Sequence, residues 1–321
     1  MPNARPLLSA AIVVCSSPGL LGAGYPDRPI RIVVPYPPGS VTDNVARPLA
    51  NRLAAVWGQP VIVDNRPGAG GNVGAEIVAR SVPDGYTLLA GSQPPNAVNA
   101  SLYRKVPFDA VRDFAPIALA ATTHQLLVVH PTVPVATVQE LIALLRARPG
   151  QLNYGSSGNG SSPHLATELF KYMTGTSMNH VPYKGSPQYT FDIVAGRIDV
   201  VFAAIGGALP HVRTGKLRLL GVSAPARDTA MPDFPAIGES VPGYDMRGWY
   251  GFLAAAGTPA RTVQLLNAEI LRFLALPETR AQFAASGLLV AGSTPAEFST
   301  WIRQEVDRWA KVVKAVGIQV D

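Results

Sequence analysis

A single cysteine, Cys15, occurs in 321 residues, and it falls within the first two dozen. The rest of the chain can form no disulfide and does not rely on an oxidising compartment for stability. Charge is scarce as well, at 15% of residues. The formal net charge of +6 comes from scattered Lys and Arg, with no basic stripe and no interleaved aromatics, so nucleic acid is not an expected partner. No apolar run beyond the first two dozen residues reaches the length of a membrane-spanning helix.

Several kinds of chemistry are missing too. The five histidines, His124, His130, His164, His180 and His211, include no i, i+4 pair and no flanking Glu, so no metal site is expected. Gly155-Ser156-Ser157-Gly158 lacks the second glycine of a nucleophile elbow, because position 159 is Asn. Gly160 is not followed by Lys, which excludes a nucleotide phosphate loop. Gly68-Ala69-Gly70-Gly71-Asn72-Val73-Gly74 has the wrong spacing for a dinucleotide fingerprint, and no acidic residue ends a strand about twenty residues on. No cofactor is expected.

What remains is ample core material. Hydrophobic residues make up 47%, and thirty Gly and thirty Pro punctuate the apolar runs into many short elements. The opening residues read as an export signal: Arg5, then the apolar run Leu7 to Val14, then the small residues Gly22-Ala23-Gly24. The expected signal peptide is 1–24, and the mature protein is expected to be periplasmic and soluble.

From there strands, loops and helices alternate. Strands are expected over 29–35, 60–65 and 86–91, with helices over 44–57 and 73–80; Thr42 or Asp43 is a natural N-cap for the first helix. Thr137 and Glu140 form a capping box for a helix ending at Arg148. A second set of units follows, with helices over 163–174 and 186–196 and strands over 178–182, 199–203 and 217–222. A strand over 243–254 returns towards the first set, and three helices close the chain. The organisation is two α/β lobes: 25–126 with 246–321, and 127–245. The chain is expected to cross between them in 125–130 and near Gly248. Ligands of such sheets sit beyond the carboxyl ends of strands. The loops over 36–43, 91–96, 155–164 and 183–186 are such ends, so Tyr36, Ser92 and Gln93 join the candidate site.

The most informative stretch is Gly155-Ser156-Ser157-Gly158-Asn159-Gly160-Ser161-Ser162-Pro163-His164. Three glycines and four serines at a strand-to-helix junction can aim several N–H and O–H groups at one point. The helix N-terminus adds unpaired amides and partial positive charge, which suits a carboxylate. A solvated turn would use the same residues. An exported serine hydrolase using Ser156 or Ser157 with His164 also stays open, as does a ligand-sensing subunit for a membrane receptor kinase.

Four motifs together carry a resemblance. Val34-Pro35-Tyr36-Pro37-Pro38-Gly39-Ser40-Val41-Thr42-Asp43, Pro67-Gly68-Ala69-Gly70-Gly71-Asn72, Tyr154-Gly155-Ser156-Ser157-Gly158-Asn159-Gly160-Ser161 and Val181-Pro182-Tyr183-Lys184-Gly185 resemble the Bug family, periplasmic binding proteins of tripartite tricarboxylate transporters. Gly248-Trp249-Tyr250-Gly251-Phe252 and Ala256-Gly257-Thr258-Pro259 extend the likeness over the mature chain. The resemblance implies a type II periplasmic binding protein fold, each lobe a mixed sheet flanked by helices, with the ligand cleft between lobes. It implies a non-enzymatic receptor, expected as a monomer, that closes on a small carboxylate and passes it to membrane permease subunits. Carried over by position, Pro38, Gly39, Ser40, Thr42 and Asp43 supply the first lobe's side. Ser156, Ser157, Gly158, Ser161 and His164 supply the second, with Tyr183 and Lys184 near and Asp199 in support. Ser40-Val41 departs from the family's usual glycine and small residue, and Gln93-Pro94-Pro95 is unusual at its strand end; Ser40 tolerates positive φ poorly.

Overall fold

The computed structural model describes residues 24–227 and 232–320; the expected signal peptide, apart from Gly24, and Cys15 lie outside them. The first strands and helices alternate as β1 (Ile30–Val34), α1 (Val41–Trp57), β2 (Val61–Asn65), α2 (Asn72–Ala79), β3 (Thr87–Ser92) and α3 (Asn99–Leu102). Two strands, β4 (Phe114–Thr123) and β5 (Gln125–Val129), follow one another with a single residue between them, and α4 (Val138–Ala147) comes after a loop. The second set is β6 (Asn153–Ser156), α5 (Ser162–Thr174), β7 (Asn179–Pro182), α6 (Ser186–Val194), β8 (Val200–Ala204), α7 (Ile205–Arg213), β9 (Arg218–Val222) and α8 (Ile237–Ser240). The chain closes with β10 (Gly248–Ala255), α9 (Ala260–Ala275), α10 (Pro277–Ala285), β11 (Leu288–Val290) and α11 (Pro295–Val316).

These strands form two mixed sheets, in the orders β11-β4-β10-β3-β1-β2 and β7-β6-β8-β5-β9. The βαβ units are parallel: β1 with β2 and β3, and β6 with β7 and β8. β10 enters antiparallel between β3 and β4, pairing Tyr250 with Ser92 and with Ala121. The amino end of β10 therefore lies beside the carboxyl end of β3. The chain leaves the first sheet after Thr123 and joins the second at Gln125, so the forward crossing is at His124, just before the expected segment. All of β5 pairs within the second sheet, with β8 and β9.

α11 ties the sheets together. Its buried positions Phe298, Ile302, Glu305, Trp309, Val312 and Val313 follow helical spacing along one face. A capping box starts it: Thr294 Oγ1 accepts from the Glu297 amide at 3.2 Å, and Glu297 Oε2 accepts from the Thr294 amide at 2.8 Å. One hydrophobic cluster includes Val33 and Leu253 of the first sheet, Leu127 and Phe202 of the second, and Phe298 and Trp309 of α11. Burial of this kind contributes about 25 cal/mol per Å² of apolar surface, so the stripe on α11 braces both sheets at once.

The packing is close where α11 meets β10. A Cβ on Gly251 would lie 2.7 Å from the Ala118 carbonyl oxygen and against the Phe298 ring. We expect Gly251→Ala to lower stability by about 1–3 kcal/mol, the usual cost of overpacking a filled core. Urea unfolding measures it, and an unchanged midpoint would contradict this packing.

Candidate functional site

A cleft of about 390 Å³ opens between the two sheets. The first wall begins where β1 ends. Gly39 takes the left-handed turn conformation, with φ of +79°, and its amide donates to Asp43 Oδ2 at 3.0 Å. Ser40 is the N-cap of α1, with φ of −65°, and its Oγ accepts from the Asp43 amide at 3.2 Å. The positive φ thus falls on the glycine, and the serine is unstrained. It is also Ser40, two residues before Thr42 and three before Asp43, that caps the helix in place of those two. With the Asp43 amide taken, the amides of Val41 and Thr42 stay at the helix end with no intrahelical acceptor.

Asp43 is buried behind this turn. Arg47 Nη2 donates to its Oδ1 at 2.7 Å, and Asn65 Nδ2 does so at 3.0 Å. Burial alone would raise its pKa, yet the bonds from Arg47, Asn65 and Gly39 outweigh it and hold the carboxyl below its ordinary value. Farther along the wall, Tyr36 Oη accepts from Ser92 Oγ and donates to the Gly70 carbonyl, both at 3.3 Å. Burial pushes the Tyr36 phenol up to about 12, so it stays a neutral O–H. Gln93 sits at the end of β3 and donates through Nε2 to the Arg247 carbonyl at 3.1 Å and to Glu305 Oε2 at 2.8 Å.

The opposite wall is the Gly/Ser loop. Gly158 and Gly160 have φ of +113° and +73°, which only glycine adopts without strain. Ser161 is the N-cap of α5, but its Oγ donates to the Gly158 carbonyl at 2.6 Å and leaves the helix end uncapped by any side chain. Pro163 in the first turn has no N–H to satisfy. The first turns of α1 and α5 therefore meet across one cleft, lined by Ser40, Val41 and Thr42 on one side and by Ser161, Ser162 and Pro163 on the other. Among the described residues no Lys, Arg, His, Asp or Glu side chain lines it. Such a site offers an anion neutral donors and two positive helix ends.

Behind the loop lies a polar stack. The His164 and His180 rings lie 4.2 Å apart, and His180 stacks on Tyr154 at 4.8 Å. Ser156 Oγ is 2.6 Å from His180 Nε2, and His164 Nδ1 accepts the Gly160 amide at 3.0 Å. That bond fixes His164 as neutral with its proton on Nε2. Burial first, and the His180 ring second, lower its pKa to about 4; Glu168 opposes this and Lys171 adds to it. Glu168 also accepts from Tyr154 Oη and, at 2.6 Å, from Lys171 Nζ.

The structure sorts the expected residues into four groups: some line the cleft, some shape the loops beside it, some brace those loops from behind, and Tyr183, Lys184 and Asp199 do not line it. Tyr36, Ser40, Thr42, Ser92, Gln93, Ser157 and Ser161 line the cleft. Pro38 and Gly39 form the turn beside it, and Gly158 shapes the opposite loop without lining it. Asp43, Ser156 and His164 are buried braces. Ser156 is fully inaccessible, so its contact with His180 does not make a nucleophile, and the hydrolase pairing with His164 is absent. Tyr183 Oη donates to Asp192 at 2.8 Å, while Lys184 is exposed, with its amide on Gln188 Oε1. Asp199 precedes β8 and accepts from the Asn153 amide at 2.7 Å, at the strand starts, which is the end away from the cleft. Asn99, Tyr103, Trp249 and Tyr250 line the cleft without having been anticipated. Asn99 had no local signal; Trp249 and Tyr250 lie in a quoted motif, but only the β3–β10 pairing brings them here.

Two helix-flanked mixed sheets with an anion-suited cleft between them define a two-lobed solute-binding protein. Residues 45–318 match the tripartite tricarboxylate transporter family receptor, TctC, and the chain belongs to that family. It is 37% identical over 298 residues to Protein BugT of Bordetella pertussis, across 92% of this chain and 91% of that one. Among solved structures it is similar to R. palustris Rpa4515 with adipate, at 36% identity and a TM-score of 0.77, covering 92% of this chain and 99% of that one. It is also similar to MatC (Rpa3494) from Rhodopseudomonas palustris with bound malate, at 30% identity and a TM-score of 0.74, covering 90% and 100%.

The His164 environment has a consequence in acid. Between pH 6.5 and about 4 the unfolded chain binds a proton at this residue and the native chain does not. Stability therefore falls as pH drops through that window. Urea unfolding at pH 7, 6 and 5 should show this loss, and His164→Gln should flatten it; an identical pH dependence in the variant would contradict the assignment.

Proposed function

We propose that the protein captures a small carboxylate between its lobes in the periplasm and delivers it to the permease subunits of a tripartite tricarboxylate-type transporter. The observation that carries this reading is the meeting of two helix N-termini, α1 and α5, on a cleft free of charged side chains. An anion there gains from both helix ends and from hydroxyls that donate to no group among the described residues, such as those of Ser40 and Ser162, and meets no desolvation cost of a buried cationic partner. Adipate and malate in the two related structures support a carboxylate as the ligand class.

In this reading the working residues are Ser40, Val41 and Thr42 on one side and Ser157, Ser161 and Ser162 on the other, with Tyr36 and Ser92 completing the wall. Asp43, Ser156, His164 and His180 hold the two loops in shape. The lobes in this reading are 25–126 with 246–321, and 127–245. The protein acts as a monomeric receptor and not as an enzyme, needs no metal or cofactor, and is exported by its N-terminal segment. Ligand binding favours the closed arrangement of the lobes by mass action.

Thermal-shift measurement against C4 to C6 dicarboxylates, tricarboxylates, acidic amino acids and aromatic acids tests this. A ligand at about one hundred times its Kd should stabilise the fold by about 2.7 kcal/mol, raising Tm by several degrees, while the matching amides should not. No shift with any carboxylate at millimolar concentration would overturn the reading.

A further inference from the structure

Gln93 lines the cleft with an amide whose orientation the surrounding protein dictates, as Asn99 does through its Nδ2 bonds to the Gly70 carbonyl and Asn72 Oδ1. Gln93 is 2% exposed. Both of its amide hydrogens are spent: Nε2 donates to the Arg247 carbonyl at 3.1 Å and to Glu305 Oε2 at 2.8 Å. A backbone carbonyl can only accept, and an ionised carboxylate likewise. Rotating the amide by half a turn would set its oxygen against both of them. The orientation is therefore fixed by chemistry, and the atom Gln93 has left to offer is Oε1, an acceptor.

Glu305 is held in turn. It is 5% exposed on the buried face of α11, where Arg308 Nη2 pairs with its Oε1 at 2.6 Å. The indole N–H groups of Trp249 and Trp309 reach its Oε2 at 3.3 and 3.4 Å. A buried carboxylate with this many donors is costly to build and is not required by the core around it. Its effect at the cleft is to hold the Gln93 amide so that Oε1, and not Nε2, is the atom free to meet a ligand.

We propose that Gln93, positioned by Glu305, makes the site selective for a carboxylate that carries a hydroxyl group over its deoxy counterpart. This rests on the carboxylate reading above. An oxygen acceptor repels a ligand carboxylate and so cannot be part of the anion clamp. It is satisfied by a ligand donor, and a ligand with only methylenes there leaves it desolvated and unmatched. An ammonium group would also donate, but no acidic side chain lines the cleft among the described residues to compensate a second charge. The hydroxy acid fits both conditions. The local sequence Ser92-Gln93-Pro94-Pro95 serves this arrangement, since Gln93 precedes a wide π-type helical turn, Pro94–Val98, that keeps it at the strand end.

Calorimetric titration with matched pairs tests the proposal: malate against succinate, and 3-hydroxyadipate against adipate. The wild-type protein should bind the hydroxy acid of the pair that fits about tenfold or more tightly than its deoxy partner. Gln93→Met, which keeps the volume and removes the acceptor, should erase that preference by weakening the hydroxy acid, with the deoxy acid changed by no more than about twofold to threefold. Glu305→Gln keeps the Arg247 carbonyl as an acceptor but replaces the charged acceptor with a neutral one, so it loosens the hold on Gln93 and should reduce the preference only in part. Equal wild-type affinity for both members of each pair, or equal weakening of both in Gln93→Met, would overturn the role of Gln93 and leave carboxylate capture standing. Failure of every carboxylate to bind would overturn both.

Discussion

Peptide dipoles at two helix ends carry the electrostatics of the cleft, and the rest of the fold serves to bring those ends together. Each end alone is a weak anion site, exposed and screened. α1 starts at the carboxyl end of β1 and α5 at the carboxyl end of β6, in different sheets. The crossings at His124 and before Gly248, with α11 packed on both sheets, set the two starts facing one another. The absence of a cationic side chain is then an advantage: a neutral site releases its ligand without leaving an uncompensated buried charge. A receptor that hands its cargo on needs that property.

Holding two flexible loops in anion-binding shape requires bracing from behind. On the first wall Asp43 does this, taking the Gly39 amide while Arg47 and Asn65 secure it. On the second, His180 and His164 hold Ser156 and the Gly160 amide. Both braces are polar groups whose partners are all within the protein, so they shape the loops without competing for the ligand. The histidines' hydrogen bonds to Ser156 and the Gly160 amide offset part of the cost of burying them, and they make the loops sensitive to protonation at His164.

Much of this was legible from residue order. Thr137 with Glu140, and the Gly/Ser junction before residue 163, are local signals, and both mark the helix starts they are expected to mark. The strand–loop–helix alternation identified three carboxyl-end loops that line the cleft, while the fourth, 183–186, stays off it. What the pattern could not convey is which way a side chain points. Ser156 and Ser157 are neighbours at a strand end, where successive residues face opposite sides; one turns inward to His180 and the other lines the cleft. Asp199 lies at the amino end of its strand, a fact that depends on the strand's direction in the sheet. Trp249 and Tyr250 reach the site only because β10 inserts antiparallel beside β3, across more than 150 residues of chain, as the Gln93–Arg247 bond also records. Pairings of that range leave no periodicity to read.

The central claim is that the backbone amides of both helix ends hold one carboxylated ligand together. Amide chemical shifts followed by NMR during a carboxylate titration address it residue by residue. Val41, Thr42, Ser162 and His164 amides should shift together along one binding curve, with the shifts largest at these helix starts. Saturable binding that moves neither set, or moves only one while the other stays in place, would contradict a site shared between the two lobes.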